Sequence, residues 1–137
     1  MNFIEAASPN FNERTVPPDM VVLHYTGMQT GPAALERLCD PEAKVSSHYL
    51  VEEDGRIYRL VPEERRAWHA GVSFWKGETD INGRSIGVEI VNPGHEFGYR
   101  PFPDAQIEAV IALLTDIRGR WSIEDSRILG HSDVAPA

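Results

Sequence analysis

Ser85-Ile86-Gly87-Val88-Glu89-Ile90-Val91 is the run on which the fold turns. It is apolar and β-branched, and Asn92-Pro93-Gly94 stops it, so it reads as a buried strand. Alternation places Ile86, Val88 and Ile90 on one face and Gly87, Glu89 and Val91 on the other, so a carboxylate interrupts an otherwise apolar surface. If that face is buried, the charge is costly unless it has a partner or a role. An edge strand with Glu89 in water is the alternative. Gly87 on the same face marks a place where another group approaches closely.

Working outward, Val21-Val22-Leu23-His24-Tyr25-Thr26, closed by Gly27, is a second buried strand, too short for a helix to be preferred. Pro32 to Cys39 sets Ala34, Leu35, Leu38 and Cys39 at helical spacing and stops at Asp40-Pro41. Ser47 to Glu53 and Arg56 to Val61 flank Asp54-Gly55, a hairpin signal because such a turn needs positive φ at its centre. From Pro103, the residues Ile107, Val110, Ile111, Leu114 and Ile117 recur at i, i+3, i+4, i+7 and i+10 and predict the best helix in the chain, with Pro103 and Asp104 in its first turn and Gly119 at its end. Arg127 to His131 reads as a short strand, and residues 1–19, with Pro9, Pro17 and Pro18, read as surface loop. Strands and helices interleave around a hairpin, which predicts a single α/β domain over residues 1–137, a central mixed β-sheet flanked by helices.

Composition narrows the function classes. The 137 residues carry 13 Lys and Arg against 21 Asp and Glu, a net charge of −8 with neutral histidines, which argues against a nucleic-acid or anionic-lipid binder. A hydrophobic content of 42% with 25% charged residues is that of a folded domain, and no apolar run approaches a bilayer span. Cys39 stands alone, so no internal disulfide forms. The start, Met1-Asn2-Phe3-Ile4-Glu5, lacks the pattern of a secretory signal, from which a cytoplasmic location is expected. No obligate protein partner is read from the sequence.

His24 and His131 each stand where a strand ends, a position that fixes the side chain while the following loop leaves room for a ligand. A neutral imidazole is a common zinc ligand; a histidine satisfied by a backbone partner at the edge of the core is the competing account. Trp68-His69-Ala70-Gly71 and Asn82-Gly83-Arg84-Ser85 bracket a loop with Phe74 and Trp75. Aromatic rings with amide and guanidinium donors suit a sugar or a peptide carboxylate, against the plainer reading of a surface loop pinned by its aromatics. No Gly-x-Ser-x-Gly elbow or phosphate-cradling glycine loop is present, and Cys39 lies on the apolar side of its helix, as a core residue does.

Taken in order, Leu23-His24-Tyr25-Thr26, Val45-Ser46-Ser47-His48-Tyr49-Leu50-Val51, Ala67-Trp68-His69-Ala70-Gly71, Ser85-Ile86-Gly87-Val88-Glu89-Ile90 and Gly130-His131-Ser132-Asp133-Val134-Ala135-Pro136 resemble the zinc-dependent N-acetylmuramoyl-L-alanine amidases. The likeness is to their AmpD/AmiD branch, which shares a fold with T7-type lysozyme amidase and the peptidoglycan recognition proteins. The resemblance implies a zinc site at strand ends, with His24 and His131 as histidine ligands and Glu89 as the catalytic acid/base. It implies hydrolysis of the amide between N-acetylmuramic acid and L-alanine of peptidoglycan fragments, (anhydro)muropeptides of cell-wall recycling. Trp68, His69, Asn82 and Arg84 fall in the region that lines the family's substrate groove. Ser47 stands where the T7-type enzymes carry a catalytic tyrosine, so that role does not transfer.

One departure from the family pattern stands out. The resemblance places a third zinc ligand, an aspartate, after this last motif, and the sequence stops at Ala137. Asp133 is the nearest carboxylate, a weak substitute expected to serve a structural bond in its turn. The expectation is a domain shortened at its C-terminus with an incomplete zinc site. The alternative function is therefore a non-catalytic muropeptide-binding module. A metal-independent Cys or Ser hydrolase ranks below both.

Overall fold

The computed structural model describes residues 1–71, 73–92, 101–130 and 133. Its centre is a six-stranded sheet built from β1 (Phe3–Glu5), β3 (Met20–Tyr25), β4 (Tyr49–Val51), β5 (Ile57–Arg59), β7 (Ser85–Ile90) and β8 (Ile128–Gly130). In space the order is β1-β5-β4-β7-β3-β8, and β2 (Phe11–Glu13) pairs with β6 (Arg65–Ala67) in a separate ribbon. The strand carrying Glu89 is thus interior, between β4 and β3, which excludes the edge-strand alternative. The sheet is mixed as expected, with β7 parallel to β3 and β4, and β4 antiparallel to β5.

The hairpin turn works as its sequence demands: Gly55 has φ +92°, and its N–H donates to Glu52 O at 2.9 Å. Helix α1 (Gly31–Cys39) begins at Thr30, whose hydroxyl accepts from Ala33 N, with proline in the first turn. It covers one face of the sheet with Ala34 and Leu38 against Leu50, Leu60 and Val91. Helix α3 (Asp104–Arg120) covers the other, where Leu113 and Ile117 meet Val21, Tyr49, Ile86 and Val88. A four-residue helix, α2 (Ile81–Arg84), leads directly into β7 and is capped by Asp80. No helix among the described residues is long and apolar enough to cross a membrane.

Three expectations need correction. Residues 1–19 are not all loop: β1 and β2 are three-residue strands, too short to show a period, held by pairing to β5 and β6. The apolar face of α3 is as expected only in part: Val110, Leu114 and Ile117 pack on the core, whereas Ile107 and Ile111 are exposed, and the fully buried positions are Gln106, Leu113 and Ile117. The reason is Gln106, whose fully buried amide donates to Val51 O and Val91 O, both at 3.0 Å, satisfying two strand ends that an isoleucine would leave bare. Gly119 lies inside the helix, which ends at Trp121 with the Trp121 N–H on Ile117 O.

His48 lies wholly inside, its Nδ1 accepting from Gly87 N at 3.0 Å and its Nε2 facing Arg65 O at 2.9 Å. Burial, with the nearby Arg14 charge, pushes its pKa down to about 4. Since the unfolded residue titrates near 6.5, the stability this neutral imidazole contributes is full above that pH and is lost as pH falls toward about 4. The loss expected by pH 4 is roughly 3 kcal/mol. Urea unfolding of the wild type and His48→Gln across this range reads it; equal pH slopes for the two proteins would contradict it.

Candidate functional site

β3, β7 and β8 run parallel, so their carboxyl ends share one edge of the sheet, and functional groups collect at such edges. There, His24 of β3 lies in register with Glu89 of β7, on the same face, and Leu50 of β4 flanks Glu89 on its other side. A cavity of about 730 Å³ opens over this edge, and its lining includes His24, Glu89, Thr26, Arg37, Trp68 and His69.

Glu89 is the anomaly in this site. Its Oε2 is buried and takes no hydrogen bond from any described residue. Burial raises its pKa to about 8, and the Arg37 charge across the cavity only partly opposes the rise. A carboxyl poised near neutrality in a cleft is suited to taking and giving a proton. His24 is buried, and its Nε2 lies 2.9 Å from Nδ1 of His69. His69 in turn reaches Ser85 Oγ through Nε2 at 2.9 Å. Its ring lies against Gly87, where any Cβ would overlap the imidazole, which is the close approach that the glycine signalled.

The remaining sequence-predicted residues divide. Trp68 lines the cavity beside His69, its indole N–H donating to Asn12 Oδ1 at 3.2 Å. Asn82 works from behind: its Oδ1 accepts from His69 N at 3.0 Å and Ala70 N at 2.8 Å, fixing the segment that presents the imidazole. Arg84 points elsewhere, paired with Asp19 and Glu78 around a different cavity. Asp133 Oδ2 accepts from Gly130 N at 2.8 Å, a structural bond at the end of β8. His131 lies outside the described residues. Cys39 does not resemble a nucleophile: burial pushes its thiol pKa up, and its Sγ faces Ala6 O. Arg37 was missed by sequence reading, because an exposed arginine late in a helix looks like ordinary solvation.

Among the described residues no cluster of three histidine, cysteine or acidic side chains could hold a metal ion. The donors at the cavity nonetheless fit one. An imidazole stands at the strand end, and beside it the buried Oε2 of Glu89 lacks the partner that a cation-held water would supply.

A histidine and a buried carboxyl side by side at parallel strand ends, over a cavity, form the kind of site in which α/β domains place proton-transfer chemistry. Residues 14–137 match the Amidase_2 family, N-acetylmuramoyl-L-alanine amidase, and the chain belongs to that family. It is 40% identical over 129 residues to the N-acetylmuramoyl-L-alanine amidase AmiD of Escherichia coli, an alignment covering 85% of this chain and 46% of AmiD. The chain thus spans about half the length of that relative. A crystal structure of an AmpD derivative superposes with a TM-score of 0.85 at 30% identity, covering 98% of this chain and 83% of that one. The complex of E. coli AmiD with anhydro-N-acetylmuramic acid-L-Ala-D-γ-Glu-L-Lys gives 0.76 at 37% identity, covering 98% and 53%. The single α/β domain with a central mixed sheet is the fold of these amidases.

Proposed function

We propose that this chain hydrolyses the amide bond between N-acetylmuramic acid and L-alanine in muropeptides, the anhydro forms included. The observation that carries the reading is the in-register pair of His24 and Glu89, with the buried Oε2 of Glu89 unpartnered among the described residues at a cavity, in a chain of this family. The named ligand of the AmiD complex, an anhydromuramyl peptide, supports the substrate class.

His24, with His131, would hold zinc as the resident cofactor. Bound there, zinc lowers the pKa of a water to about 7 and polarises the amide carbonyl. The chain's own work is proton handling and orientation. Glu89 accepts the proton of the attacking water at its carboxylate as the water oxygen bonds to the carbonyl carbon. It then delivers that proton to the alanine nitrogen as the C–N bond breaks. Burial brings this carboxyl to about 8 in the metal-free chain, close enough to neutrality for both its protonation states to be within reach. The Trp68 face and the Arg37 guanidinium at the cavity suit a sugar ring and a peptide carboxylate respectively.

Incubating the chain with anhydromuramyl tripeptide and zinc should release a peptide with a free L-alanine amine, detected by mass spectrometry. Chelation should stop the release and added zinc should restore it. Saturable binding of the muropeptide without cleavage in the presence of zinc would replace this reading with a binding module.

A further inference from the structure

We infer that Ser85, acting through His69, sets which nitrogen of His24 carries the hydrogen, leaving Nδ1 as the lone-pair nitrogen available to a metal. The Ser85 hydroxyl has one hydrogen, and it donates that hydrogen to Ile81 O at 2.6 Å, an atom that can only accept. Toward His69 Nε2, 2.9 Å away, the hydroxyl oxygen is therefore the acceptor, so His69 carries its hydrogen on Nε2. A neutral imidazole has one N–H, which makes His69 Nδ1 an acceptor. His24 Nε2, 2.9 Å from that Nδ1, must then donate to it. The lone pair of a neutral His24 is thereby assigned to Nδ1.

The relay is held from every side. Ser85 is completely buried and follows directly on helix α2, so the carbonyl of Ile81 lies one turn behind its hydroxyl. Asn82 in the same helix grips the backbone at His69 and Ala70. Gly87 provides the floor for the His69 ring, and the two imidazoles meet edge to face at 73° with centroids 5.1 Å apart. Hydrogen bonds of this kind fix the orientation and tautomer of metal-ligating histidines. Ser85 and His69 are in this account positioning residues. A doubly protonated His69 would reverse the relay, because its Nδ1 would then donate and His24 would accept at Nε2.

The metal in this inference rests on the proposed function; the proton pattern does not. Long-range ¹H–¹⁵N correlation spectra of the metal-free chain read the tautomers directly, and the expected pattern is Nε2–H at both His24 and His69. Ser85→Ala should mix the tautomers of His24 and weaken zinc binding, measured by chelator competition, by about 10- to 100-fold. Ser85→Thr, which keeps the hydroxyl, should restore both. An Nδ1–H tautomer at His24 in the wild type would overturn the relay. So would a Ser85→Ala variant with an unmixed Nε2–H spectrum and zinc affinity within about twofold of wild type, well short of the loss expected for an outer-shell partner. Absence of zinc uptake by a wild type with the expected tautomers would support the relay and count against the metal reading alone.

Discussion

Glu89→Gln is expected to cut amide hydrolysis by roughly 10²- to 10⁴-fold, the usual worth of a positioned acid/base, while making the metal-free fold more stable at alkaline pH. The two effects share one cause. The Oε2 of Glu89 is buried without a hydrogen bond from any described residue, and its pKa stands at about 8 against an ordinary 4.5. For an acid whose folded pKa is raised, the folded state holds the proton longer than the unfolded chain does. Stability therefore falls as pH rises from about 4.5 and stops falling near 8. Glutamine keeps the shape and cannot ionise, so this slope should vanish. The variant should match the wild type near pH 5 and exceed it by about 2–4 kcal/mol at pH 8 in urea titrations. A structural glutamate would behave oppositely, losing stability when its charge is removed. Retention of activity within tenfold, below the usual acid/base contribution, would end the assignment of Glu89 as proton carrier.

What could be read in advance, and what could not, follows from the range of the interactions involved. β3 and β7 were legible because interior parallel strands are apolar on both faces, and His24 and Glu89 stood out against that background. Their pairing across two strands was not legible from periodicity, because register depends on residues some 65 positions apart in sequence, as His24 and Glu89 are. Asn82 and Arg84 carry donors and acceptors suited to a ligand, yet one spends its amide oxygen on the backbone at His69 and the other its charge on Asp19 and Glu78. Polar residue types announce that a bond is made, not with whom. Gln106 shows the same limit in the core: hydropathy favoured Ile107, and two strand-end carbonyls decided for the amide.

The segment that sequence patterning passed over as loop holds the residue whose loss should cost the fold most. Arg14 sends its guanidinium into the space between the β2–β6 ribbon and the start of β7, donating to Glu63 O and Gly83 O at 3.1 Å, Ser85 O at 3.0 Å and Arg65 O at 2.9 Å. Burial lowers its pKa to about 10, which still leaves it charged at neutral pH. Four carbonyls from two separate segments, 63–65 and 83–85, thus share one planar fork, a geometry that no other side chain reproduces. Arg14→Ala strips all four of this donor, although His48 Nε2 still faces Arg65 O at 2.9 Å. Each acceptor left without a partner costs about 1–3 kcal/mol, and entering water recovers part of it. The expected loss is about 3–5 kcal/mol, seen as a melting temperature lower by roughly 10–20 °C. Arg14→Lys should recover little, because a single ammonium cannot span the fork. Because Ser85 contributes its carbonyl to Arg14 and its hydroxyl to His69, Arg14→Ala should also broaden the His24 and His69 ring signals in proteins still folded at low temperature. A loss below about 1 kcal/mol, or full rescue by lysine, would mean that these carbonyls are satisfied without the guanidinium.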